Sequence, residues 1–164
     1  MNPYASFLGD RDPLSVIAAT AQALADRSAG LSTEALNRAP APGKWSFRQI
    51  VCHLADTEIA FGFRLRQALA EPNHVIQPFD QDRWAERYEA YDLPAALALF
   101  TTLRKWNLLL LQRVGEKELA LPVSHPERGA MTFRTIVETM AGHDLNHLAQ
   151  LEVVGRASAR PTVA

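Results

Sequence analysis

The sequence predicts an all-α protein, a four-helix bundle with a long crossover between its second and third helices. Four stretches of bundle length carry apolar residues at helical spacing, and nowhere does apolar–polar alternation persist long enough to make a strand. Between the second and third stretches, a polar, aromatic segment from Asn73 to Tyr91 is long enough to carry the chain back along a bundle. The 164 residues are expected to form one domain, 1–164.

Asp12-Pro13 opens the first helix, an acceptor side chain at the N-cap followed by proline in the first turn. Leu14, Ile17, Ala18, Ala21, Leu24 and Ala25 recur on one face until Gly30 ends the run. Leu31 to Lys44 contains Pro40, Pro42 and Gly43 and reads as a loop, with one turn at Ser32 to Leu36. The second helix starts on a capping-box pattern, Ser46 with Gln49, flanked by Trp45 and Ile50 as a hydrophobic staple. Its stripe runs through Phe47, Ile50, Leu54, Phe61, Leu65 and Leu69, and Pro72 stops it. In the crossover, Phe79 to Trp84 suggests a short helix capped by Asp80 or Asp82. Asp92-Leu93-Pro94 opens the third helix, which continues through Leu97, Phe100, Leu103, Leu108 and Leu111 to Gly115. Glu116 to Ala130, with Pro122, Pro126 and Gly129, reads as a loop. Thr132 is the expected cap of the fourth helix, with Met131 and Ile136 as its staple; the helix is read to Gly155 and the remaining tail as frayed.

Composition removes several functional classes. Hydrophobic residues make up 48% and charged residues 21%, which excludes a disordered chain. The formal net charge is −1 with both signs interspersed, so the basic stripe of a nucleic-acid binder is missing. No apolar run approaches the roughly 20 residues of a membrane span, and no cationic start leads into a signal-like segment. The single cysteine, Cys52, fits a reducing compartment, so the cytoplasm is the expected location.

The chemistry is concentrated in three histidines. His143 and His147 lie four apart on the fourth helix, hence one above the other on a single face. At about 100° per residue, that face also holds Ile136, Met140, Leu151 and Val154, so both imidazoles share the buried stripe. His53 sits at the margin of the second helix's stripe, near Ile50, Thr57 and Phe61. A buried unpaired imidazole costs on the order of 1–3 kcal/mol, and one ion can satisfy all three rings. The alternative is that each is a core histidine bonded to a carbonyl or carboxylate. His74 and His125, in presumed loops, read as surface residues. A di-iron reading needs Glu-x-x-His pairs, and the one match, Glu71 to His74, is interrupted by Pro72. His143 to His147 is similar to the His-Glu-x-x-His of zinc proteases, but Asp144 stands where their base is glutamate, and it is rotated about 100° from His143.

Neighbouring groups can support the histidines. Asp56, three residues after His53, and Gln150, three after His147, can accept from a ligand ring's second N–H, with Glu58 and Glu138 as further candidates. Arg64 falls three turns beyond His53 in nearly the same sector; it is a candidate anchor for an anionic substrate group, or the partner of a crossover carboxylate. Cys52 points between helices, and Trp45 is explained by packing at the helix start. Trp84, Tyr88 and Tyr91 could wall a pocket or fill the core.

The pattern Trp45-Ser46 with His53-Leu54-Ala55-Asp56-Thr57-Glu58, the crossover with Trp84, and the terminal Gly142-His143-Asp144-Leu145-Asn146-His147-Leu148-Ala149-Gln150 resembles the DinB-like (damage-inducible, DinB/YfiT-like) superfamily. The likeness spans nearly the whole chain in element order. It implies a four-helix bundle that binds one divalent ion through three histidines, which map onto His53, His143 and His147. Zinc or nickel suits such ligands. The resemblance implies a metal-dependent enzyme acting on a small molecule, either a hydrolase or an S-transferase with a low-molecular-weight thiol as cosubstrate, and a possible homodimer. The competing expectation is a non-catalytic, stress-associated metal-binding module whose ion cross-links helices. No residue chooses the substrate.

Overall fold

In the computed structural model, which describes residues 1–158, four long helices form the bundle: α2 (Pro13–Ser28), α4 (Phe47–Ala70), α6 (Leu93–Leu111) and α8 (Phe133–Ser158). The shorter elements are α1 (Ala5–Leu8), α3 (Thr33–Asn37), α5 (Gln81–Ala85), a 3₁₀ turn (Tyr88–Ala90), α7 (Glu116–Leu119), and a hairpin of β1 (Pro122–His125) and β2 (Gly129–Thr132). No described helix is long and apolar enough to cross a membrane.

The caps expected at Asp12, Ser46 and Asp92 are in place. Asp12 accepts from the Ser15 N–H at 2.8 Å, and Asp92 from the Ala95 N–H at 2.7 Å. Ser46 and Gln49 close a reciprocal capping box at the start of α4. Ser32 caps α3 and Asp80 caps α5, so both short turns read from the sequence exist. Helix α8 passes Gly155 and continues to Ser158; the rest of the tail expected to fray lies outside the described residues.

The loop expected over Glu116 to Ala130 is a correction. It contains α7 and an antiparallel hairpin in which Val123 pairs with Met131 and His125 with Gly129. The strands are four residues each, too short for period-two alternation to register, and Gly129 supplies the positive φ (74°) where the hairpin turns. The crossover is stitched to this hairpin: the Ile76 N–H donates to the Ser124 carbonyl at 2.8 Å, and the Ser124 N–H donates to His74 O at 3.0 Å. Thr132 closes β2, and its N–H donates to Thr135 Oγ1 at 3.3 Å.

Helix order around the bundle is not sequential. Helix α2 packs against α6 and α8, and α4 packs against the same two. The first two long helices therefore occupy opposite corners, and α4 and α8, which carry the histidines, are neighbours. Apolar packing forms two clusters. One is built around Ile17, Phe61, Leu65, Phe133 and Met140, the other around Leu24, Phe47, Ile50, Leu54, Phe100 and Leu151.

A buried ionic cluster joins all four helices. Arg104 on α6 is 1% exposed. Its guanidinium donates to both oxygens of Asp144 on α8 (2.5 and 3.1 Å), to Glu58 Oε2 on α4 (2.8 Å), and to the Ile17 carbonyl on α2 (3.0 Å). Asn107 donates to the other Glu58 oxygen at 2.8 Å, and Thr20 to Asp144 Oδ2 at 2.8 Å. Burial disfavours the arginine's charge, but the Asp144 and Glu58 carboxylates outweigh it and raise its pKa. Glu58 and Asp144 are thus not solvated, and neither is available as a base at the histidines.

Replacing Arg104 with Met leaves two buried carboxylates without a counterion. Urea denaturation should show a loss of about 3–5 kcal/mol, partly recovered by adding Glu58→Gln and Asp144→Asn. A loss below about 1 kcal/mol would place the cluster among surface-like ion pairs.

Candidate metal centre

His53 comes from the middle of α4, and His143 and His147 from successive turns of α8. All three are buried, at 1%, 5% and 6% exposure. Their ring centroids are 4.4 to 5.1 Å apart, and one ring nitrogen from each lies within 4.8 Å of the others. His53 Nε2 and His143 Nε2 are 3.1 Å apart. Two ligands on a tetrahedral ion with bonds of about 2.05 Å would be separated by about 3.3 Å. His147 Nδ1 donates to Gln150 Oε1 at 2.8 Å, which puts the proton on Nδ1 and leaves Nε2 with its lone pair. Gln150 therefore stands where the sequence placed it.

The donor set fits a cation. Burial holds the pKa of His53 down at about 3, with the neighbouring His147 adding to the effect. Burial likewise lowers His147, and lowers His143 well below the usual imidazole value, with His147 and His53 contributing. Neutral rings are the ligand form of histidine. A shared proton would satisfy two of the three facing nitrogens and strand the third, whereas one ion satisfies all of them.

The surroundings differ from expectation at several points. Asp56 makes no hydrogen bond to His53, whose Nδ1 is buried without a partner. Asp56 instead lines a separate cavity of about 190 Å³ with Cys52, Ile59, Tyr91 and Leu99. His53 is braced by packing, its ring 4.8 Å from that of Trp45, so the residue at the helix start also touches the site. Thr57 donates to the His53 carbonyl at 2.7 Å, with its hydroxyl 3.4 Å from His53 Nε2. Glu138 faces a different pocket, with Arg134 and Glu116. Cys52 is outside the cluster, and burial pushes its thiol up to about 11.

A cleft of about 330 Å³ opens beside His53 and His143. Thr57, Phe61 and Arg64 of α4 continue one wall; Phe79 and Gln81 of the crossover, His125 and Arg128 of the hairpin, and Tyr4 of the N-terminal segment complete it. His74 and His125 were expected at the surface, yet both are buried. His74 meets Glu71 at 2.7 Å, and His125 accepts from the Glu127 N–H at 3.2 Å. Tyr4 packs edge-on against His143 at 5.2 Å. Gly142 makes that possible, because a Cβ there would lie 2.6 Å from the Tyr4 carbonyl oxygen. The sequence signal for Tyr4 was thus the glycine preceding His143; His125 left none, because its hairpin was read as a loop.

A family model describing the DinB superfamily matches residues 17–151, which include all three histidines and the ionic cluster. The chain belongs to the DinB superfamily. It is 34% identical over 123 residues to a protein of Oceanobacillus iheyensis named "Putative metal-dependent hydrolase", an alignment covering 74% of this chain and 71% of that one. A second protein of that organism with the same designation is 27% identical over 125 residues, covering 75% and 72%. The structure of YfiT from Bacillus subtilis, described as "a probable metal-dependent hydrolase with an unusual four-helix bundle topology", superimposes with a TM-score of 0.82 at 23% identity, covering 88% of this chain and 84% of that one. The four-helix bundle expected from the sequence is thus the fold shared with that structure.

The depressed histidine pKa values fix the sign of a pH effect on the metal-free protein. Each ring is neutral when folded and has its usual pKa near 6.5 when unfolded. Stability is therefore full above pH 6.5 and is lost progressively as pH falls below it. Chemical denaturation between pH 7.5 and 5 should show this slope, and it should flatten in a His53→Ala, His143→Ala double variant.

Proposed function

We propose that the chain is a metal-dependent hydrolase of a small molecule, with one divalent ion held by His53, His143 and His147. The observation that carries this reading is the convergence of three neutral imidazoles, two of which, His53 and His143, line an open cleft. Three protein ligands leave coordination positions free, the pattern of catalytic rather than structural zinc. The designations of the relatives in Oceanobacillus iheyensis support the same class of chemistry. An all-imidazole set favours zinc or nickel.

A divalent ion held by His53, His143 and His147 would supply Lewis acidity, able to activate water and to polarise a substrate oxygen. The chain's own groups do the rest. Gln150 fixes the tautomer of His147, and Trp45 and Thr57 hold His53 in place. Phe61 and Phe79 give the cleft apolar walls, and its volume of about 330 Å³ suits a small molecule. On those walls, His125 offers a further imidazole. Burial and the charges of Arg128 and Arg64 keep His125 neutral by lowering its pKa. Glu58 and Asp144 stay locked to Arg104 and take no part.

Elemental analysis of purified protein should find one zinc or nickel per chain. His53→Ala and His143→Ala should abolish stoichiometric metal, and Gln150→Ala should weaken affinity about 10–100-fold. Full metal retention in both histidine variants would refute the assignment. Metal-loaded protein that hydrolyses no member of an ester, amide and phosphoester panel would reduce the centre to a cross-link between α4 and α8.

A further inference from the structure

We infer that the substrate of this cleft carries an oxyanion, a carboxylate or a phosphate, held by Arg64 and Arg128 while its reacting bond lies over the three histidines. This rests on the metal-dependent reading above and adds the chemical class of the substrate.

Arg64 is built as a receptor. It leaves α4 eleven residues after His53 on the same wall, about 16 Å further along the axis at about 1.5 Å per residue, and helical side chains lean back toward the N-terminus, here toward His53. Its guanidinium lies over Phe79 (5.4 Å) and Phe61 (5.9 Å), and one N–H is tied to the Gln77 carbonyl at 3.1 Å. These contacts fix the plane of the group and leave most of its five N–H donors unused. Among the described residues, Arg64 makes no ion pair, whereas Arg48, Arg104 and Arg134 each meet a carboxylate.

Arg128 faces the same space from the hairpin turn and likewise has no ion pair among the described residues. Burial first, and then the charge of Arg128, lowers the pKa of Arg64. Glu127 is the one carboxylate on the cleft wall among the described residues, and it pairs with neither arginine. Two arginines and a divalent ion on neutral ligands therefore confront a single carboxylate. Arg64 is half-buried and Arg128 exposed at the mouth of the cleft, and a planar oxyanion accepts from guanidinium groups in bidentate fashion.

Isothermal titration of the metal-loaded protein with glutarate, glycerol 3-phosphate and the neutral glutaramide tests this. At least one of the two anions should bind and glutaramide should not, and the preferred anion separates carboxylate from phosphate. Arg64→Gln and Arg128→Gln should each weaken anion binding about tenfold while leaving one metal per chain and an unchanged melting temperature. Equal anion binding by the wild type and the Arg64→Gln, Arg128→Gln double variant would overturn the inference, as would failure of both anions to bind. The same titration on His143→Ala separates the two readings. Arginine-dependent anion binding without metal would keep the oxyanion site even if the hydrolase reading fell. Binding lost with the metal yet insensitive to both arginines would assign the anion to the ion alone and remove the site.

Discussion

Everything in this fold turns on how a fully buried guanidinium is accommodated. Arg104 lies over the Phe100 ring at 4.4 Å within one apolar cluster and bonds to the Ile17 carbonyl, which belongs to the other. Its remaining bonds fix the lateral positions of α4, through Glu58, and α8, through Asp144. A buried ion pair adds little net stability over a well-packed apolar substitute, because both charges must be stripped of water. It penalises misalignment, though, since any shift of one helix strands a charge. That penalty is useful here, because the three imidazoles meet only if α4 and α8 keep one register.

Two adjacent residues of α8 divide the work. His143 turns toward the α4 histidine, and Asp144, about 100° around the helix, turns inward to Arg104. On α4, Thr57 faces His53 while Glu58, the next residue, reaches the same arginine. The ionic cluster and the histidine cluster are thus adjacent layers of one bundle, built from consecutive residues on the same two helices. This explains why a sequence similar to a protease motif lacks the protease's base: the acidic position is spent on alignment.

Much of this was legible in the sequence because it is local. Caps at Asp12, Ser46 and Asp92 and the apolar period mark the long helices, and the four-residue spacing of His143 and His147 puts them on one face. Gln150 was found by the same helical arithmetic. Arg104 was missed because the apolar residues around it, Phe100, Leu103 and Leu108, dominate the pattern, and a lone arginine in such a stripe reads as a solvated edge. Glu58 and Asp144 were misjudged for the same reason, since their partner lies on another helix. Asp56 shows the opposite error: three-residue spacing allows a contact with His53, but its carboxylate faces the neighbouring cavity. His125 and Tyr4 reach the site through a hairpin and an N-terminal turn whose placement depends on tertiary contacts.

The diagonal placement of α2 and α4 also constrains how the chain reaches this state. In an up-and-down bundle, successive helices zip together as hairpins, so early contacts are short in sequence. Here the first two long helices have no shared face, and α2 finds its partners only in α6 and α8. The bond from Thr20 to Asp144 spans 124 residues. Closing such loops costs entropy before any reward is collected, and topologies rich in distant contacts fold slowly for their size. The histidine pair lies on the last helix, and its partner His53 lies 90 residues before His143, so an ion captured there would clasp two distant stretches of the chain.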